Sequence, residues 1–414
     1  MDAVAADPRN RAKRLLVLGA GPAQLGLLES ARARGLSVIA ADRDPSAPGF
    51  PLADRRALMS AEDEPALERL AAAEEVDGLI APGIDSSVAI AARIAARLGL
   101  PHPLAPSTAA LACSRLRQRE RFGELGLAQP RYAVANRLEA AEAAAAIGFP
   151  VVVKAADRQG RRGMALAREP AALQPAVEVA LSASRSESCL IEELVAGREV
   201  TVTAFTLAGS WRPLLVSDRE RAEPPAFAVA LAHVWPSLLD EKESRRALEL
   251  AEAATAALGI VDGPSSLQLV VGPEGPCLTE LVARLGGGHD AELCEAAVGV
   301  DLNGVALAAA LGEEIGHGAL EPRPRVGGAC IRFLVAPEGE LREVQGAERA
   351  AAGPGIERVR IYRVPGHRFG PLRAGTDRAG AVLATGADRP EAVRRAEQAA
   401  DLIRFETVDG QPPL

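Results

Sequence analysis

The sequence predicts a multidomain protein that opens as a parallel α/β layer and continues as α+β. Three observations carry that expectation. A strand, glycine turn, helix and second strand follow one another over residues 14–44. Paired strand-like runs joined by Gly/Pro turns fill the second half. The chain has 414 residues, against roughly 100–200 for one domain.

The first unit is RLLVLGAG, PAQLGLLESARARGL and SVIAADRD, a βαβ pattern with acidic residues closing the second strand. VDGLIAPGID (76–85) adds a buried strand and turn, and AIAARIAARLGL (89–100) an Ala-rich helix, so residues 1–110 form the parallel layer. A charged helix from 114 leads into QPRYAVA. GFPVVVKAA (148–156) is a buried strand ending near Lys154, followed by the Gly/Arg loop DRQGRRGMALA and a helix near 170–184. CLIEELVAGREVTVTAF (189–205) reads strand, polar hinge, strand, and SSLQLVVGPEGPCLTELVARLGGGHDAEL holds two strands and a glycine cluster opening a helix. These make a second unit, 111–320, with its hinge near 148–205 and its chemistry-bearing strands at 262–290. Residues 321–414 form an α+β tail, with GGACIRFLV and ERVRIYRV as strands and RPEAVRRAEQAADLIRF as a helix.

Composition narrows the function classes. The chain is 48% apolar and 25% charged, as in ordinary soluble globular proteins. A net charge of -8 without long like-charge blocks argues against nucleic acid or an anionic membrane as partner. No h-region precedes the first strand, and no run of about 20 apolar residues occurs, so a cytoplasmic protein is expected. The 5 cysteines are widely spaced and read as reduced, mostly buried thiols. Lysine occurs only at Lys13, Lys154 and Lys242, so a lysine in an apolar strand stands out.

Lys154 follows three valines, where a buried ammonium requires a carboxylate or phosphate. Gly160 and Gly163, flanking Arg161 and Arg162, suit a phosphate clamp made of backbone N–H groups and guanidinium forks. Glu192, Glu193 and Glu199 interrupt an apolar stretch, as a solvated hinge or as acceptors for a nucleoside. Gln268 and Glu280 are oxygen-bearing side chains on neighbouring apolar strands, the type of pair that Mg²⁺ on nucleotide phosphates requires. Arg284, followed by Gly286, Gly287, Gly288 and His289, places a cation beside that pair, suited to a transferring phosphoryl group or a carboxylate. Arg219, Arg221 and His233 are assigned to a loop near a substrate carboxylate, a basic surface loop being the alternative. The Gly19, Gly21 and Gly26 turn fits dinucleotide binding or plain strand-to-helix packing.

The order of these motifs resembles the ATP-grasp superfamily of carboxylate–amine ligases, across nearly the whole chain. The resemblance implies a pre-grasp layer, an ATP-grasp fold whose two α+β subdomains sandwich ATP, and a tail similar to biotin carboxylase-like chains. It implies that Lys154 and Arg115 bind ATP phosphates, that Glu192 and the backbone of Glu193 and Val195 hold adenine, and that Glu199 holds ribose. Gln268 and Glu280 would ligate Mg²⁺ or Mn²⁺, and Arg284 would face an acyl phosphate. Arg115 stands where the family has a lysine, and Val282 stands where the common pattern supplies a metal-binding Asn. The E-x-x-A-R form looks more like the L-amino acid ligases.

The implied reaction joins a small-molecule carboxylate to an amine with ATP converted to ADP and phosphate. A bicarbonate-activating enzyme, a non-catalytic nucleotide-binding protein and a nicotinamide oxidoreductase are the rivals, and a homodimer stays open.

Overall fold

The structure, a computed structural model, describes residues 11–156, 163–184, 186–223 and 226–408. Its first sheet is parallel, in the order β3-β2-β1-β4, from β1 (Arg14–Leu18), β2 (Ser37–Asp42), β3 (Arg55–Leu58) and β4 (Gly78–Ile80). Between them run α1 (Leu25–Ala33) and α2 (Glu64–Ala73), followed by α3 (Asp85–Leu98). Alternation along β1 sends Leu15 and Val17 into one core and Leu16 and Leu18 into another, so both faces are covered, as parallel sheets require. β3 escapes the periodicity reading because it is only four residues long and begins with two exposed arginines.

α4 (Pro106–Ala112) and α5 (Arg115–Glu124) lead into a small lobe. The lobe contains β5 (Tyr132–Ala135), α6 (Ala140–Ile147), β6 (Val151–Ala155), β7 (Met164–Ala167), α7 (Leu173–Ala183) and β8 (Cys189–Glu193). Its antiparallel sheet, ordered β5-β8-β6-β7, encloses a core of its own in which Ala144, Val153, Val177 and Ile191 are fully buried.

The remaining strands build a large antiparallel sheet. β9 (Arg198–Leu207), β10 (Ser210–Arg221) and β11 (Ala230–Trp235) are followed by α8 (Glu241–Ala257), β12 (Gly263–Gly272), β13 (Gly275–Val282), α9 (Asp290–Val298) and α10 (Leu302–Ala310). β14 (Gly328–Leu334), β15 (Gly339–Gln345), α11 (Ala347–Ala351), β16 (Ile356–Ile361), β17 (Arg368–Phe369), β18 (Gly380–Gly386), α12 (Arg389–Leu402) and β19 (Arg404–Val408) complete the chain. The large sheet runs β13-β12-β9-β10-β11-β14-β18-β16, so strands from the end of the chain extend a sheet begun in its middle. A separate three-stranded sheet, β17-β15-β19, closes the tail.

One core cluster joins Leu27 and Leu28 of α1, Leu293 of α9, Leu307 of α10, Phe333 of β14 and Leu383 of β18. The N-terminal layer therefore shares its interior with the end of the chain, while the small lobe keeps a separate one. Among the described residues no helix is long and apolar enough to cross a membrane.

The helix expected to run through Phe405 stops at Leu402, and Arg404 and Phe405 begin β19. A larger correction concerns Arg219, Arg221 and His233. The expected loop is a pair of strands, with Arg219 on β10 directly opposite His233 on β11. Charged residues mask a strand in SDRER because this strand faces a polar site rather than a dry core.

Candidate active site

A narrow cavity of about 50 Å³ lies between the small lobe and the near edge of the large sheet. Lys154, Glu192, Glu193 and Val195 line it from the lobe and the hinge. Glu199, Arg221, Gln268 and Glu280 line it from the sheet, and Arg115 from the start of α5. Residues far apart in sequence thus meet at one place. Gly160 lies outside the described residues, and Gly163 follows directly on that gap.

Lys154 is the penultimate residue of β6, whose three valines are buried, and it is itself only 7% exposed. Its Nζ donates to Glu192 Oε2 at 2.5 Å. Burial pulls the ammonium below its ordinary range, with Glu192 opposing the shift. Glu192 also accepts from Arg119 Nε at 3.0 Å. Burial alone would raise its carboxyl, but Arg119 and Lys154 outweigh that and hold it at about 2. The carboxylate is therefore an ionised strut between two cations. Only its remaining lone pairs could accept from another group, which narrows the adenine role expected for it.

Arg119 is the residue that sequence reasoning missed. Besides Glu192, its guanidinium donates to the carbonyls of Leu278 (2.9 Å) and Thr279 (2.6 Å), tying α5 and β8 to β13. The available signal was helical spacing, since Arg115 and Arg119 lie four apart on one face of α5.

Gln268 and Glu280 are direct cross-strand partners on β12 and β13, so both side chains leave the same face. Arg115 Nη2 donates to Glu280 Oε1 at 2.8 Å. Arg115 thus faces a carboxylate, and the pair sits at the rim of the cavity.

At the hinge, Glu193 accepts from the backbone and guanidinium of Arg131. The amides of Glu193 and Leu194 are already engaged by the carbonyls of Arg131 and Pro150. A ligand contact from Glu193 therefore falls to its carbonyl. Glu199 lies between Arg219 and Arg221, at 3.4 and 3.5 Å.

Beyond β13, Arg284 pairs with Asp85 at the start of α3 and donates to the Leu285 carbonyl. Asp85 is buried, which raises its carboxyl against the pull of Arg284. His233 Nδ1 stands 2.8 Å from Asp290 Oδ1. Burial lowers the imidazole's pKa, and Asp290 opposes the shift. A Cβ at Gly288 would come within 2.4 Å of the His233 ring, so only glycine lets the loop lie this close. Gly287 has more room, with its nearest neighbour atom at 3.7 Å. His289 adopts a left-handed φ of 59° and is fixed by Tyr362, Glu292 and Arg360. These contacts give His289 a structural setting away from the cavity wall.

The Gly19–Gly26 turn is filled from within the protein. The Gln24 side chain occupies it and bonds the Pro82 carbonyl. A Cβ at Gly26 would meet the Glu292 carboxylate. These contacts favour the packing alternative over dinucleotide binding.

A family profile described as the ATP binding domain of the carbamoyl-phosphate synthase L chain matches residues 127–317. Another, described as L-amino acid ligase C-terminal domain 2, matches residues 332–408, where a biotin carboxylase-like tail was expected. The chain is 30% identical over 406 residues to the formate-dependent phosphoribosylglycinamide formyltransferase of Burkholderia thailandensis, covering 95% of each chain. It is 29% identical over 330 residues to the uncharacterized protein y4rH of Sinorhizobium fredii, and the match spans 77% of this chain but 66% of that protein. Among solved structures, an L-amino acid ligase from Bacillus licheniformis superposes with a TM-score of 0.81 at 19% identity, over 97% of this chain and 100% of that one. The biotin carboxylase domain of Hydrogenobacter thermophilus 2-oxoglutarate carboxylase, solved with MgADP and bicarbonate, gives 0.77 at 18% identity, over 95% and 90%. At such identities the structural likeness is one of fold.

Proposed function

The chain belongs to the ATP-grasp family of carboxylate–amine ligases, and from that premise we propose that it couples a carboxylate to an amine while converting ATP to ADP and phosphate. The observation that carries this reading is the meeting of Lys154, Arg115 and the Gln268–Glu280 pair around one cavity with the hinge Glu192–Val195. The L-amino acid ligase profile over 332–408 favours an amino acid among the substrates.

Lys154 and Arg115 supply positive charge for the phosphates, and the expected loop role of Gly160 lies outside the described residues while that of Gly163 stays with this reading. The Glu193 carbonyl and the Val195 backbone face adenine, and Glu199 takes the ribose hydroxyls between its two arginines. Glu192 acts on Lys154 as a positioning residue, because it holds the ammonium at the cavity wall.

The metal site fits Mg²⁺ on its donor chemistry. One carboxylate and one amide oxygen on adjacent strands are too few for an all-protein cage, and Mg²⁺ commonly takes its remaining ligands from nucleotide phosphates and water. When bound there, the metal neutralises phosphate charge. Val282 is 7% exposed and provides no oxygen.

Arg284 is assigned to the phosphorylated carboxylate, with Asp85 as the partner that holds its guanidinium. Catalysis by positioning and charge stabilisation needs no nucleophilic side chain. The substrate carboxylate is assigned to the side of the glycine loop, near Gly287, Gly288 and the Arg219–His233 pair.

The test is a screen of acids crossed with amines, read as ADP and phosphate release with Mg²⁺. ADP formation that requires both an acid and an amine supports the ligase. Release with bicarbonate alone would turn the reading toward the carboxylases, and nucleotide binding without release from any pair would exclude catalysis.

A further inference from the structure

Four side chains form one row on the face of the large sheet that carries the candidate metal pair. Glu280 stands opposite Gln268, Gln268 opposite Thr201, and Thr201 opposite Ser217. Residues paired across strands point to the same side. The next row, two residues along, holds Val282, Ser266 and Thr203.

Thr201, Thr203 and Ser217 are 1%, 2% and 0% exposed. Among the described residues their hydroxyl oxygens have no hydrogen-bond partner. Leaving a buried hydroxyl unpaired is unfavourable, because its hydration is lost with nothing in exchange. On the opposite face of β9 and β12, Val200, Val202, Leu267 and Leu269 pack into a dry core. Apolar residues would fit the site face without that penalty, yet hydroxyls stand there side by side, next to Gln268. Among the described residues Ser265 and Thr206 are also unpaired on the opposite face, but only on the site face do such hydroxyls adjoin the Gln268–Glu280 pair.

We propose that Thr201, Thr203 and Ser217 form a hydroxyl floor that recognises the carboxylic acid substrate by a second polar group on it, namely a hydroxyl, an amide or a second carboxylate. A hydroxyl side chain both donates and accepts, so it pairs with any of these. An alkyl side chain would leave all three unsatisfied, and discrimination against such an acid follows from that. Gly288 packs on His233, whose cross-strand partner Arg219 lies two residues from Ser217 on the same strand face. The glycine loop therefore packs on the same sheet face as the floor. This inference rests on the ligase reading.

Binding is tested with isosteric acid pairs in the presence of Mg²⁺ and a non-hydrolysable ATP analogue: glycolate against propionate, L-serine against L-2-aminobutyrate, and L-malate against 2-methylsuccinate. In the wild type, the thermal midpoint should rise with a hydroxyl member and not with its alkyl partner. Thr201→Val and Ser217→Ala should each keep or raise the ligand-free midpoint, leave affinity for the ATP analogue unchanged, and weaken the hydroxyl acid roughly three- to tenfold.

The floor is overturned if wild type treats both members of every pair alike, if no hydroxyl acid binds, or if the variants keep the discrimination. A lowered ligand-free midpoint in both variants would also overturn it, because the hydroxyls would then serve packing. Hydroxyl-selective binding without ADP release for any acid and amine would sink the ligase reading and leave the floor standing. ADP release confined to alkyl acids would do the reverse.

Discussion

Lys154 and Glu192 illustrate how one residue can be legible while its partner is misjudged. A lysine after three valines announces a buried charge, but only the fold shows that Glu192 answers it together with Arg119. Because Arg119 remains on Glu192, Lys154→Met should keep its fold. Its ATP affinity should fall roughly 10- to 100-fold, the range for losing a charged hydrogen-bonding partner. Calorimetric titration checks this, and a wild-type-like isotherm would remove Lys154 from the phosphate site. The same strut gives a pH dependence. Glu192 is depressed from 4.5 to about 2 in the folded protein, so its stabilising contribution is present above about pH 4.5 and disappears as pH falls toward 2. Glu192→Gln should therefore be destabilised at pH 7 relative to wild type, with the gap narrowing on acidification. Urea midpoints across pH 2–7 would show it, and a gap that stays constant would contradict the assignment.

At the level of elements, the informative unit is the β12–β13 hairpin. Its sequence carries two oxygen-bearing side chains in apolar strands, and their directly opposed register follows from hairpin pairing. Nothing in the sequence indicates that Arg115, more than 160 residues away, takes one oxygen of Glu280. That contact makes a protein cation compete with the metal. Mg²⁺ should bind weakly without nucleotide and cooperatively with it, and Arg115→Met should tighten metal binding to the nucleotide-free protein while weakening ATP. Glu280→Gln should abolish ADP formation yet still bind the nucleoside. Calorimetry with and without nucleotide measures these effects. Tight Mg²⁺ binding to the nucleotide-free wild type, or full turnover in Glu280→Gln, would place the metal elsewhere. Val282→Asn adds the missing oxygen and should strengthen metal binding if the strand carries it toward the pair.

Across the whole molecule, the tail is bound to the N-terminal layer by charge as well as by shared core. Arg360 on β16 pairs with Glu292 on α9 and with Glu29 on α1. Burial would raise the Glu292 carboxyl, but His289 and Arg360 hold it well below the usual carboxylate range. Removing one side of a buried pair leaves the other uncompensated, typically at about 3–5 kcal/mol. Arg360→Met should lower stability by that order in equilibrium urea unfolding, and a loss under about 1 kcal/mol would show that the junction is held by apolar packing alone.

The division between what sequence and structure decide follows from the range of the interactions. Period-2 and period-3.6 patterns, glycine turns and a lysine in a dry strand are local signals, and they pointed to the parallel first layer, the hairpin and the cavity-lining side chains Lys154, Glu192, Glu199, Gln268 and Glu280. Charged strands such as β10 were invisible because their polar face looks like a loop until a site is placed against it. The pairing of Arg119 with Glu192 and of Asp85 with Arg284, and the hydroxyls beside Gln268 that lack a partner among the described residues, were decided by tertiary structure alone. Each depends on how segments distant in the chain come to share one low-dielectric space, and no local pattern encodes which charges will meet there.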